Sequence, residues 1–105
     1  MGIFKAYDIR GRFGESLTLD IAHRIGRCLP RIVPARRALM GRDARASSPA
    51  LAAALARGLT EAGCGVDDLG PATTPMVYCL AARHDYDLSV QVTASHNPAP
   101  DNGFK

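Results

Sequence analysis

No CxxC pair occurs in this chain of 105 residues, and cysteine appears only three times, at Cys28, Cys64 and Cys79. An odd count, wide spacing and the missing CxxC pairs argue against a disulfide framework and a structural zinc site, and for a reducing compartment. Apolar runs long enough to span a bilayer are lacking. A signal peptide is not visible either, because residues 1–12 already carry Asp8 and several basic side chains. Lysine is scarce: Lys5 and Lys105 are the only two, so the positive side of a net charge of +3 falls on arginine. Arginine suits a bidentate grip on phosphate or carboxylate, although a compositional bias of the source genome yields the same residues. No basic run is interleaved with aromatics, so nothing matches a nucleic-acid reader. Internal repeats, low-complexity tracts and linkers are missing as well. These absences predict a soluble cytoplasmic chain with no membrane and no nucleic-acid partner.

What is present is a core. Hydrophobic residues make up 47% of the chain, enough to argue against disorder. At this length roughly 60–70% of the unfolded surface can be buried, so one compact core is feasible. "IFKAYDI" at 3–9 is rich in aromatic and β-branched residues and predicts a strand entering a loop at Arg10-Gly11. Thr18 then caps a helix whose stripe is Ile21, Ala22, Ile25 and Leu29, closed by Pro30 and Pro34. "RALMG" at 37–41 predicts a short buried strand. Ser48 caps a second helix with Pro49 in its first turn, a stripe of Leu51, Leu55, Leu59 and Ala62, and a stop at Gly63. "GVDDLG" at 65–70 predicts a third strand, and Thr73, Thr74 and Pro75 the cap of a third helix reaching about His84. "DLSVQVT" at 87–93 alternates Leu88, Val90 and Val92 with polar residues, as a strand with one buried face does. The order βαβαβαβ predicts an α/β domain of three layers with a mixed, largely parallel sheet.

Polar residues gather where these strands end. The four ends carry Tyr7-Asp8-Ile9-Arg10-Gly11, Gly41-Arg42-Asp43-Ala44-Arg45, Gly70-Pro71-Ala72-Thr73-Thr74-Pro75 and Thr93-Ala94-Ser95-His96-Asn97-Pro98. In open α/β sheets, ligands sit outside the carboxyl ends of the strands. Parallel strands would therefore bring Arg10, Arg42, Arg45, Ser95, His96 and Lys105 to one cationic rim. A serine in a turn is most often a turn residue, but here His96 offers a base or donor, and Asn97-Pro98 shapes the loop. Asp101-Asn102-Gly103 reads as a second turn bringing Lys105 back toward Ser95. The serine-hydrolase elbow G-x-S-x-G needs glycines where Thr93 and Asn97 stand, which disfavours that chemistry. Phosphoryl transfer fits better, since it needs positioning and positive charge. No carboxylate cluster follows Ser95, so the chain supplies no evident magnesium cage by itself.

"FKAYDIRG" at 4–11, "GRDAR" at 41–45, "DLGPATTP" at 68–75 and "TASHNPAPDNGFK" at 93–105 resemble, in order and spacing, the start of the phosphohexomutase family, nearest its bacterial phosphomannomutase/phosphoglucomutase branch. The resemblance implies that Ser95 is carried as a phosphoserine. It gives its phosphoryl group to a hexose 1-phosphate, forming a hexose 1,6-bisphosphate that turns over in the site and returns its other phosphoryl group, leaving the 6-phosphate. By the same resemblance Lys105 is general base or proton shuttle. Arg10 and His96 assist at the reacting group, Tyr7 and Asn97 join Arg10 at the substrate, and Mg2+ is bound partly by phosphorylated Ser95 with its remaining ligands outside this chain.

Other readings stand beside these. Tyr7 is equally a packing residue, and Arg42 and Arg45 are equally solvated charges at a helix entry. His23 and His84 read as surface or packing residues. The resemblance covers the front of the first of four domains, so residues 1–105 are expected to form one incomplete N-terminal domain. The metal loop, the sugar-recognition loop and the distal phosphate loop of the family have no counterpart here. The expectation is that the chain alone is not a competent mutase. It is then either a fragment, completed by the remainder of a mutase, or a short non-catalytic module that binds sugar phosphate or self-associates.

Overall fold

The computed structural model describes residues 4–5, 8–12, 14, 17–32, 34–93 and 101–104. Local signals place the helices. Thr18 Oγ1 accepts from the Ile21 amide at 3.2 Å and opens α1 (Leu19–Ile32). Helix α2 spans Ser48–Glu61, and Gly63 ends it in the left-handed region at φ +89°. Helix α3 spans Thr74–Arg83, and its cap is Thr73, whose hydroxyl accepts from the Met76 amide at 3.3 Å. Pro30 does not close α1 as expected; it sits inside the last turn and the helix runs two residues further. In a final turn a missing N–H and a displaced carbonyl cost less than in a helix interior, because few bonds lie beyond them.

Among the described residues, six strands make one sheet in the order β1-β2-β6-β5-β3-β4. They are β1 (Phe4–Lys5), β2 (Asp8–Arg12), β3 (Arg37–Arg42), β4 (Gly65–Pro71), β5 (Leu88–Val92) and β6 (Asp101–Phe104). Strand β3 pairs in parallel with β4 and β5, while β6 pairs antiparallel with both β5 and β2. Two antiparallel steps cancel, so β2, β3, β4 and β5 all point one way. This is the mixed, largely parallel sheet expected, with β2-α1-β3-α2-β4-α3-β5 supplying the alternating order.

Two expectations at the ends of the chain change. The first strand is a hairpin, since Lys5 pairs with Asp8 and Phe4 with Ile9. Strand β2 then continues through Arg10-Gly11 to Arg12 instead of entering a loop there. Asp101-Asn102-Gly103 is strand β6, not a turn: Arg10 lies opposite Gly103 and Gly11 opposite Asn102. Glycines that read locally as punctuation are held extended by this distant pairing.

The sheet is covered on both faces. Helices α1 and α2 bury Ala22, Ile25, Leu51, Leu55 and Leu59 against Ala38, Met40, Val90, Val92 and Phe104. Helix α3 lies on the other face, where Val77 approaches Gly41 beside Gln91. Gln91 is therefore buried, at 1% exposure, although the alternation of β5 predicted one solvent-facing side. Its Nε2 donates to the Ala72 carbonyl at 2.6 Å. No described helix is long and apolar enough to cross a membrane.

Candidate active site

The carboxyl ends of the four co-directional strands meet at one edge. Backbone bonds tie that edge together: the Asp43 amide donates to Val92 O at 3.1 Å and the Ala72 amide to Arg42 O at 2.9 Å. Cross-strand register runs Pro71, Arg42, Val92, Phe104 and Ile9 along one row. Arg10, Gly11 and Arg12 extend beyond it, alongside β6.

A buried polar network occupies the middle of the edge. Asp43, just past β3, accepts from Ser48 Oγ at 2.5 Å, from the Arg45 amide at 3.0 Å and from Arg45 Nε at 3.1 Å. The Thr93 hydroxyl is a further donor to the same carboxylate. Burial pushes the Asp43 carboxyl up, but Ser48, Thr93 and Arg45 together outweigh it and hold the group below its ordinary value. Ser48 in turn accepts from Asn102 Nδ2 at 3.0 Å, and the same nitrogen lies 2.7 Å from Ser47 Oγ. Ser48 and Asn102 are fully buried and Thr93 nearly so. Ser48 therefore does not cap α2; Ser47 holds that position, and the Ser48 hydroxyl is committed to Asp43 and Asn102.

Of the residues expected from the sequence, Tyr7, Ser95, His96, Asn97 and Lys105 lie outside the described residues. Arg10 is placed by its backbone, on β2 opposite Gly103. Thr93 and Asp101, the described residues on either side of 94–100, both lie at the carboxyl edge. Two of the arginines predicted for a cationic rim are engaged with carboxylates: Arg42 Nη1 stands 3.6 Å from Asp68 Oδ2, and Arg45 binds Asp43. His23 lies away from the edge, 3.0 Å from Glu61 Oε1 across α1 and α2, and His84 caps the end of α3.

Asp43, Ser48, Thr93 and Asn102 were not singled out from the sequence as site residues, although three of them stand inside quoted motifs. A usable signal was present: short polar residues next to strand ends that the apolar pattern already marked for burial. The described residues do not fit a divalent cation by themselves. No group of three or more His, Cys, Asp or Glu among them could hold a metal ion, and the Asp43 oxygens are occupied by donors.

Comparison with known proteins gives a consistent picture. The family model for phosphoglucomutase/phosphomannomutase, alpha/beta/alpha domain I, matches residues 1–105. A phosphomannomutase of Salmonella typhimurium is 47% identical over 102 residues, covering 97% of this chain and 22% of that protein. A phosphoglucomutase of Neisseria gonorrhoeae is 45% identical over 106 residues, covering 98% of this chain and 23% of that protein. The crystal structure of a phosphoglucomutase/phosphomannomutase family protein from Burkholderia thailandensis superposes with a TM-score of 0.89 at 43% identity, over 98% of this chain and 25% of the other. The chain thus spans about a quarter or less of these proteins.

Proposed function

This chain belongs to the phosphoglucomutase/phosphomannomutase family through its domain I, and from that premise we propose that it carries the phosphoserine of a phosphohexomutase on Ser95. The phosphoryl group on Ser95 Oγ passes to O6 of a hexose 1-phosphate, giving the 1,6-bisphosphate. After the sugar reverses in the site, the phosphoryl group on O1 returns to Ser95 Oγ and the hexose 6-phosphate leaves. Lys105 shuttles the proton of the accepting hydroxyl, while Arg10 and His96 stabilise charge on the transferring group. Tyr7 and Asn97 shape the sugar side of the site.

The observation that carries this reading is the direction of the strands. Because β6 stands antiparallel between β2 and β5, the strand holding Arg10 and the strand leading into the serine segment reach the same edge. Phosphorylated Ser95 would hold part of a magnesium ion whose other ligands lie outside this chain, and the ion would supply charge neutralisation at the phosphoryl group. Hexose phosphates are the small-molecule partners, and the cytoplasm is the compartment.

The test is direct. The chain is incubated with glucose or mannose 1,6-bisphosphate and its intact mass is measured. One added phosphoryl group, mapped to Ser95 and lost in Ser95→Ala, is the expected result. A folded wild-type chain that takes up no phosphoryl group, or takes it up elsewhere, would overturn the reading.

A further inference from the structure

We propose that Asp43, Ser48 and Asn102 form a clamp that fixes both roots of segment 94–100 to the end of β3 and the start of α2. The residues act by positioning, and their relevance to phosphoryl transfer rests on the reading of Ser95 given above. At one root, Thr93 donates to Asp43. At the other, Asn102 donates to Ser48 at 3.0 Å, and Ser48 donates to Asp43 at 2.5 Å. One continuous line of side-chain bonds thereby joins the residue before the segment to the strand after it. The backbone repeats the connection, with the Asp43 amide on Val92 O and Asn102 opposite Gly11 of β2. The strand that bears Arg10 is thus held in the same frame.

Saturation of the carboxylate assigns the role. A carboxylate offers about four acceptor positions, and Asp43 meets donors from Ser48, Thr93, the Arg45 amide and the Arg45 side chain. These donors hold the carboxylate in one orientation between the end of β3 and the start of α2. Ser48 is similarly committed: its single proton goes to Asp43 and its lone pair faces Asn102. A satisfied buried network of this kind rigidifies what it joins, and one missing member leaves a buried partner unpaired. The partners come from 54 residues apart in sequence, so the network holds tertiary geometry that no local turn provides.

Amide hydrogen exchange on the 105-residue chain tests the clamp. Wild type is compared with Ser48→Ala and Thr93→Val, each of which removes one hydroxyl with little change in volume. Loss of a hydrogen bond to a charged group should raise exchange in peptides spanning 93–104 on the order of tenfold, with α1 peptides changing less than about twofold. Unchanged exchange in 93–104, or an equal rise in α1, overturns the clamp, the second because it marks a general loss of stability. The same samples are given hexose 1,6-bisphosphate: slower labelling of Ser95 in the variants at an unchanged half-saturating concentration is expected, and equal rates overturn the positioning role. If wild type takes no label, the functional reading fails by itself, and exchange still decides the clamp.

Discussion

Among single residues, Asp43 combines a charge, partial burial and several donors. Its folded carboxyl lies below the ordinary value of 3.8, so as pH falls the unfolded chain takes up the proton first. The stabilisation is therefore present above about pH 4 and is lost as pH drops through 3.8 and below. Asp43→Asn should unfold more readily than wild type near pH 7, by about 1–3 kcal/mol, because an amide nitrogen replaces an acceptor among several donors. The gap should narrow toward about pH 3. Asp67, Asp87 and Glu61 are also lowered, but they titrate in both proteins and cancel. Urea midpoints at the two pH values check this; a gap that stays constant would mean that the ionised carboxylate is not what stabilises the edge. The sequence made Ser95 visible because its neighbours form a distinctive local motif. It left the shared role of Asp43, Ser48 and Asn102 unread, because the bond that joins Asn102 to Ser48 spans 54 residues, which no local window contains.

Element by element, what was legible follows the range of the forces. Helix ends depend on caps and glycines within a few positions, and Thr18, Thr73 and Gly63 act as the sequence says. The division of the stretch 3–9 into the paired strands β1 and β2 was not legible, nor was β6, which has only four residues; β6 exists because β2 and β5 flank it. Another feature hidden from periodicity is how closely α1 and α2 cross. A Cβ on Gly58 would stand 2.2 Å from His23 O and 2.9 Å from Arg27 N, and one on Gly26 would stand 2.3 Å from Leu55 O. These obstacles are backbone, so no rotamer relieves them and the helices must separate. Alanine at position 58 gains up to about 1 kcal/mol of helix propensity, against about 1–3 kcal/mol or more for overpacking. We expect Gly58→Ala to lose about 1–2 kcal/mol net, seen as a Tm lower by about 5–10 °C. An unchanged Tm would mean that the two helices do not meet at these glycines.

For the molecule as a whole, the question is how much of a mutase cycle one open sheet edge can support. Accepting a phosphoryl group requires the serine, a donor and local positive charge. Isomerisation asks more: the bisphosphate must reverse while held, and water must be kept from it. That calls for walls on several sides. Among the described residues the edge presents a network turned inward on Asp43, with Arg42 and Arg45 already paired to carboxylates. The Salmonella typhimurium and Burkholderia thailandensis relatives are about four times as long as this chain, which covers 22% of one and 25% of the other. The two halves of the cycle should therefore separate in this chain. Ser95 is expected to take one phosphoryl group from a hexose 1,6-bisphosphate, while conversion of hexose 1-phosphate to 6-phosphate runs at least a hundredfold below the roughly 10 s⁻¹ common among enzymes. A coupled assay for hexose 6-phosphate, run beside the mass measurement, checks both. Labelling without turnover means that domain I holds the carrier and the rest of a mutase holds the sugar. Turnover near 10 s⁻¹ would show that this edge closes around the bisphosphate unaided.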